Sequence, residues 1–252
     1  MSGHSKWSTI KHAKGINDAR RGKLFTKLTK EVIIAAKQGG TDPEGNFKLR
    51  MAIQRAKDQN LPNDNIERAI KRASGDGPEG EQMVETAYEG YGPGGIAILV
   101  EVVTDNKNRT VSDVRSTFTK SGGNLANAGA VAWQFDQKGV VIAEADEEAA
   151  EELALAAIDA GALDFETDDG VVSIYSTPET LEGVRTALDE VGAAIRSSEL
   201  SMVPQNTVAL DAKESMRTLR LLDQLEELED VQRVYSNADF PDEALEEYGA
   251  QS

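Results

Sequence analysis

The order of hydrophobic patterns between residues 138 and 204 constrains the fold of this chain more than any other feature. Four strand-like and two helix-like segments alternate there, at 139–143, 147–160, 163–167, 171–176, 178–191 and 194–203. This β-α-β-β-α-β order is that of a complete ferredoxin-like unit. The sequence therefore predicts that residues 138–204 form a ferredoxin-like domain of their own.

The flanking segments repeat the same order with a gap in its middle. Residues 96–136 have the pattern strand, helix, strand, and residues 206–236 have it again. The simplest interpretation is a second ferredoxin-like domain, made of 81–137 plus 205–238, into which the first is inserted. The last dozen residues are acidic, and we expect them to be loose.

Upstream of these domains the pattern is helical. Apolar residues recur at helical spacing from residue 17 or 18 to 38, from 44 to 58 and on to 73, before a glycine-rich linker at 74–80. Residues 1–15 are polar and basic and are interpreted as an arm. We therefore predict an α+β fold in which a basic three-helix domain, 1–75, precedes two ferredoxin-like α/β domains, one inserted in the other.

Charge is divided unevenly between these parts. The 252 residues carry a formal net charge of −17, which by itself argues against a nucleic-acid-binding protein. Residues 1–72, however, contain sixteen Lys and Arg against seven Asp and Glu, whereas 73–252 contain eleven against thirty-seven. This asymmetry indicates a basic module that binds an anionic partner and is carried on an acidic body.

The first predicted helix has a basic face of one sign, with the apolar residues on nearly the opposite side. Such a face suits phosphate contact, and lysine favours neutralisation of the backbone over base recognition. A solvated helix surface, or a site for an acidic protein or membrane surface, is the alternative. The third helix adds Arg68, Lys71 and Arg72. The predicted nucleic-acid-binding residues, including those of the arm, are Lys6, Lys11, Lys14, Arg20, Arg21, Lys23, Lys27, Lys30 and Lys37.

Two polar loops in the acidic body are weaker candidates. Residues 90–95 match G-x-G-x-x-G, but a strand follows instead of the helix that a dinucleotide site requires, so a tight turn is the favoured interpretation. Residues 105–110 lie where a strand passes into a helix, where polar side chains cap the helix or hold an anion. The residues with a predicted partner or anion contact are Gly92, Gly94, Asn106, Asn108 and Arg109.

Cysteine and histidine, two residues that commonly build metal and catalytic sites, are absent or scarce in this sequence. The chain has no cysteine, and its two histidines, His4 and His12, both lie in the arm. We therefore expect no metal site, no cofactor and no catalytic residue. No apolar run approaches 18 residues and no secretory signal is visible, so we expect a cytoplasmic protein without membrane contact.

Five motifs, in the same order along the chain, closely resemble the YebC family. They are 3–7 (GHSKW), 21–27 (RGKLFTK), 88–95 (YEGYGPGG), 104–110 (TDNKNRT) and 121–125 (SGGNL). The resemblance covers nearly the whole chain. It implies a helical N-terminal domain followed by two α/β domains, and membership among cytoplasmic transcriptional regulators that bind DNA. A mitochondrial relative activates translation of a cytochrome oxidase subunit, and bacterial members are tied to translation on the ribosome.

Together these features predict a non-enzymatic regulator of gene expression that binds nucleic acid through its basic N-terminal domain. DNA, in transcription regulation, and ribosomal RNA, in translation regulation on the ribosome, both stay open as partners because lysine contacts with phosphate look alike in the two. An enzyme that uses a nucleotide at residues 90–95 is a third and weaker alternative. The sequence leaves the oligomeric state open.

Overall fold

The computed structural model describes residues 18–74, 83–168 and 170–251. Its contacts divide the chain into two compact units. One is Phe135–Val203, called the insert unit here, and the other, the main unit, holds the remaining described residues. Both units mix helices with antiparallel strands, which confirms the predicted α+β class. Within the described residues, no helix has the length and apolar character needed to cross a membrane.

The main unit begins with three helices, α1 (Asp18–Gly39), α2 (Phe47–Asp58) and α3 (Asn63–Ala73). Their apolar faces form one core, to which Leu28, Leu49 and Ile66 contribute. Asn46 sets the corner between α1 and α2. Its side-chain oxygen accepts the N–H of Leu49 and so caps α2, and its amide nitrogen donates to two carbonyl oxygens at the end of α1.

A four-stranded sheet follows, with the strands β1 (Val84–Tyr91), β2 (Ala97–Thr104), β3 (Asn124–Leu125) and β9 (Val231–Ser236) in the order β3-β1-β2-β9. One face is covered by α4 (Lys107–Lys120) and α7 (Ala212–Glu226). The apolar core between this face and the two helices is formed by Ile98, Val100, Val114, Phe118, Leu219 and Leu222.

The opposite face of this sheet carries polar residues, and α1 lies against it. Glu101 of β2 is paired in register with Arg233 of β9, and both point away from the core because side chains alternate along a strand. Helix α1 contacts both strands. Its Glu31 accepts hydrogen bonds of 2.7 Å from Arg55 of α2 and from Arg233, so one carboxylate joins the helices to the sheet.

Two segments predicted as strands of this sheet lie elsewhere. Residues 131–134 form a loop with a 3₁₀ turn, because the carboxylate of Glu89 accepts the N–H groups of Gly129, Val131 and Ala132 that a strand would need for pairing. The segment predicted at 206–210 pairs over only two residues. There β8 (Val208–Ala209) lies parallel to β10 (Ala238–Asp239) in a separate ribbon.

The insert unit has the predicted ferredoxin-like arrangement. Its elements are β4 (Phe135–Glu144), α5 (Glu147–Asp159), β5 (Ala162–Asp168), β6 (Val171–Ser176), α6 (Leu181–Glu190) and β7 (Ala194–Pro204). The sheet order is β5-β6-β4-β7, so the first and third strands of the unit are central. The predicted element order is confirmed. Strong local periodicity made these elements recognisable.

The expectation of a loose C-terminus is wrong for the described residues. Helix α8 (Asp242–Gln251) packs on α7. Leu245 and Tyr248 are buried in the core of the main unit, and the hydroxyl of Tyr248 donates to the carboxylate of Asp223. Leu245 and Tyr248 are spaced three residues apart, so they share one face of the helix, and this apolar pair outweighs the acidity of the segment.

The chain leaves the main unit after Gln134 and returns to it by Gln205, and these two residues are adjacent. The N–H of Gln205 donates to the carbonyl oxygen of Gln134 at 2.8 Å, so the two ends of the interrupted chain are adjacent. We propose on this ground that the insert unit is an independent domain, whereas the separation of 1–75 from the sheet as a further domain stays a prediction.

Deletion of residues 135–204, with a short Gly/Ser bridge from Gln134 to Gln205, is expected to leave a main unit that unfolds cooperatively. The excised insert unit should also fold alone, since about 65–70 residues suffice for a small core. Thermal unfolding followed by circular dichroism and calorimetry tests both halves. Loss of a cooperative transition in either piece would show that the two units depend on a common core.

Candidate nucleic-acid interface

Three lysines of the predicted basic face lie against one acidic segment of the main unit. The acidic segment, Glu226–Asp230, joins the end of α7 to β9. Lys23 forms an ion pair with Glu227, and Lys27 donates to the backbone carbonyl of Glu226. Lys30 Nζ lies 3.1 Å from Asp230 Oδ1. Part of the cationic charge predicted to bind phosphate is therefore neutralised within the chain.

This contact explains why the basic face is only partly exposed. The side chain of Lys23 keeps about half of its exposure, at 53%, whereas that of Lys30 keeps 13%. Ile34 falls on the same side of α1, four residues after Lys30, and is buried. The apolar Ile34 among the lysines is the sequence signal that this face packs against the rest of the main unit. Dividing the helix into one apolar and one basic side overlooks it.

Asp230 is the centre of a buried hydrogen-bond cluster that sequence reasoning did not identify. Its carboxylate accepts from Lys30 at 3.1 Å, from Arg109 at 2.8 Å and from the Thr110 hydroxyl at 2.8 Å. Thr104 at the end of β2 completes the set at 3.1 Å. Burial alone would raise the pKa of Asp230, but the hydrogen bonds from Arg109, Thr110 and Lys30 outweigh it and lower the pKa to about 2.

The cluster draws together two of the predicted sites. Arg109 Nη2 also pairs with Asp105, and Asn106 caps α4 by accepting the N–H of Arg109 at 3.1 Å. Asn108 is exposed. The segment 105–110 thus caps a helix and is joined to α1 through Asp230, while a contact of Asn106, Asn108 or Arg109 with a partner stays a prediction.

The glycine loop is a tight turn between β1 and β2. Gly92 is buried, and its N–H donates to the carbonyl of Ile96 at 2.9 Å. Gly94 has φ +73°, and a side chain there would meet Leu210 at 2.4 Å. At Gly92 packing alone favours glycine, since a side chain there would meet Ile96 at 2.9 Å, whereas at Gly94 both the backbone and the packing favour it. A contact of Gly92 or Gly94 with a partner stays a prediction.

Other cations of the helical part remain on the surface. On α3, Arg68, Lys71 and Arg72 are spaced as one helix face and are all exposed, opposite the buried Ile66 and Ala69. The remaining exposed cations of this part are Arg21, Lys23, Lys37, Lys48 and Lys57. Lys6, Lys11 and Lys14, like Trp7 and the histidines, lie outside the described residues, and so does the side chain of Arg20.

Among the described residues, no three histidine, cysteine or acidic side chains converge as metal ligands. The arrangement is one of surface cations and internal ion pairs. It suits the electrostatic binding of a large anion.

Two models of one protein family match this chain. Residues 5–76 match the model of the TACO1/YebC protein N-terminal domain, and residues 83–238 match that of the TACO1/YebC second and third domain. A probable transcriptional regulatory protein of Dehalococcoides mccartyi is 57% identical over 252 residues, which cover all of both chains. One from Natranaerobius thermophilus is 50% identical over 249 residues, 98% of this chain and 99% of that one.

A solved structure is also similar. The crystal structure of a conserved hypothetical protein from Aquifex aeolicus superposes with a TM-score of 0.81 at 46% sequence identity. The match covers 89% of this chain and 92% of that one.

Proposed function

Since the chain belongs to the TACO1/YebC family, we propose that it regulates gene expression by binding nucleic acid and catalyses no reaction. Its curated relatives carry the name probable transcriptional regulatory protein. The observation that carries the proposal is the exposed cationic surface of the helical part, set on a body in which acids outnumber bases by more than three to one. Such a body repels phosphate wherever its acidic residues predominate, which helps to orient the protein with its basic surface on the target.

The face of α3 is the part of this surface best placed for phosphate contact. Arg68, Lys71 and Arg72 are all exposed on one side of a helix, whereas Lys27 and Lys30 of α1 are only partly exposed. Further cations precede α3 in the sequence. They are Arg21 and Lys23 at the start of α1 and the three lysines of the arm. Contacts of this kind position a protein on the backbone and do not distinguish between base sequences.

A triple substitution of Arg68, Lys71 and Arg72 by Gln is expected to weaken binding to a 20-base-pair DNA duplex. If all three residues contact phosphate, the slope of log K against log salt should fall by about 2–3, since each contact contributes roughly 0.9 on duplex DNA. Fluorescence anisotropy at several salt concentrations measures the slope. The same titration with a structured RNA hairpin shows which nucleic acid is preferred, and co-sedimentation with ribosomes before and after nuclease treatment separates translation from transcription.

The matched control lowers the net charge equally but places the substitutions in the insert unit. Gln137, Thr167 and Thr186 are exposed neutral residues of the insert unit, and their replacement by Glu adds three negative charges and so lowers the net charge by three units. This variant should keep nearly the full slope. If the α3 variant and the control behave alike, the cations of α3 form only a solvated surface, and the proposed interface is wrong.

A further inference from the structure

The few cations of the acidic body are gathered on two helices. Residues 73–252 contain eleven Lys and Arg, and seven of them lie on α4 and α7, which together cover one face of the main sheet. By contrast, α5 of the insert unit carries five acidic residues and no cation. All seven cations are exposed: Lys107, Arg109, Arg115, Lys120, Lys213, Arg217 and Arg220.

On α7 the cations form a single row. Lys213, Arg217 and Arg220 are spaced by four and three residues, which places them on one face, opposite the buried Leu219 and Leu222. The row is about 10 Å long, since a helix rises roughly 1.5 Å per residue. Helix α4 packs beside α7. The hydroxyl of Ser121, at the end of α4, donates at 3.2 Å to the side-chain oxygen of Gln224, which lies four residues after Arg220 on the same face of α7.

The three cations of the α7 row differ in their pairing from the arginines that lie outside α4 and α7 in the body. Arg185, Arg196 and Arg233 each form an ion pair, with Asp189, Glu144 and Glu31 respectively. In the described part of the chain, none of Lys213, Arg217 and Arg220 has a salt-bridge partner. The carboxylate of Asp223 on α7 accepts a hydrogen bond from the hydroxyl of Tyr248 on α8.

The row is also free of exposed apolar residues. The large hydrophobic side chains that are exposed among the described residues are Trp133, Leu155, Ile158, Leu163, Phe165 and Val191. None of them lies on α4 or α7. A protein partner would require an apolar centre in its interface, whereas surfaces that bind nucleic acid are polar and positively charged. The chemistry therefore favours a phosphate backbone over an acidic protein.

We propose that Lys213, Arg217 and Arg220 form a second basic surface that binds the sugar–phosphate backbone of nucleic acid. This inference rests on the proposed function, to which it adds a second contact. Helices α4 and α7 cover the face of the sheet opposite to α1. The second basic surface therefore contacts a different segment of nucleic acid from the one bound at the helical part, and the protein bridges the two segments.

The test uses the full-length chain with Lys213, Arg217 and Arg220 all changed to Gln, which has similar helix propensity and should preserve the fold. Binding is measured on a 20-base-pair DNA duplex and on a structured RNA hairpin, and bridging by energy transfer between two differently labelled probes. We expect the salt slope on DNA to fall by about 2–3, the affinity at low salt to drop roughly tenfold or more, and the bridging signal to be lost. The probe that shows the larger change identifies the backbone bound.

Two controls keep the inference separate from the proposed function. The insert-unit variant with Gln137, Thr167 and Thr186 changed to Glu has the same net charge, and thermal unfolding checks that every variant is folded. If the wild-type chain binds neither probe, the proposed function fails and this inference fails with it. If the wild-type chain binds, and the α7 variant matches the control in slope and bridging, the second basic surface alone is overturned.

Discussion

Replacing Asp230 with Asn will lower the free energy of unfolding by about 3–5 kcal/mol, the usual cost of removing one partner from a buried ion pair. The side chain of Asp230 is only 7% exposed, and its carboxylate neutralises Lys30 and Arg109 together. An amide cannot accept from all of Lys30, Arg109, Thr104 and Thr110, and it removes the buried counter-charge that the two cations share. Urea unfolding at neutral pH measures the loss.

The contribution of Asp230 also has a definite dependence on pH. Its pKa is lowered from 3.8 to about 2 in the folded protein, so its contribution is complete above about pH 4 and is lost as the pH falls through about 2. The shift corresponds to about 2 kcal/mol. The difference in stability between wild type and Asp230→Asn should therefore narrow between pH 4 and pH 2.

Asp105→Asn is the matched control for that measurement. Asp105 pairs with the same Arg109 at 2.9 Å, but its side chain is 56% exposed. An exposed pair of this kind contributes less than about 1 kcal/mol. Equal losses in the two variants would mean that Asp230 acts as one more surface charge and not as the buried centre of a cluster.

Replacing Glu89 with Gln is expected to cost about 3 kcal/mol and to release the loop 129–132. The buried carboxylate accepts three backbone N–H groups at 2.6–2.8 Å, from Gly129, Val131 and Ala132. Burial alone would raise the pKa of Glu89, but these backbone hydrogen bonds outweigh it and lower the pKa. The amide nitrogen of Gln would face N–H donors and leave at least one of them without an acceptor.

Trp133 reports directly on this loop, because its indole N–H donates to the carbonyl of Ala130 and its ring is exposed. In a Trp7→Phe background, Glu89→Gln should change the fluorescence of Trp133 as well as the unfolding midpoint. Glu85→Gln, an exposed carboxylate on the same strand, should change neither. An unaltered midpoint in the Glu89 variant would show that the loop is held by its other contacts.

The elements that sequence predicted well are those whose apolar spacing is local. The insert unit and β9 were found within a few residues because each strand or helix carries its own periodicity. The sequence predicts a strand at the loop 131–134 because apolar residues occupy every second position there, at Val131, Trp133 and Phe135. The carboxylate that captures its backbone lies some forty residues earlier, at Glu89, where local patterns do not reach.

The candidate site was predictable as a charge distribution but not as a geometry. The excess of cations in residues 1–72 is visible by counting, and the exposure of Arg68, Lys71 and Arg72 follows from helical spacing. The partners of Lys23 and Lys30 lie about two hundred residues away in the acidic segment. Pairing at such a distance depends on how β9 joins the sheet, and no short-range pattern encodes it.

The position of β9 beside β2 has a consequence for the order of events during synthesis. Strand β2 ends at Thr104, but β9, the second of its two antiparallel neighbours, does not leave the ribosome until after Ser236 has been added. The insert unit is complete by then, so we expect it to fold while the main sheet still has an open edge. Contacts so distant in sequence form slowly. The acidic segment is made in the same late stretch of chain, so the lysines of α1 leave the ribosome long before it and acquire these internal partners only after residues 226–230 have emerged.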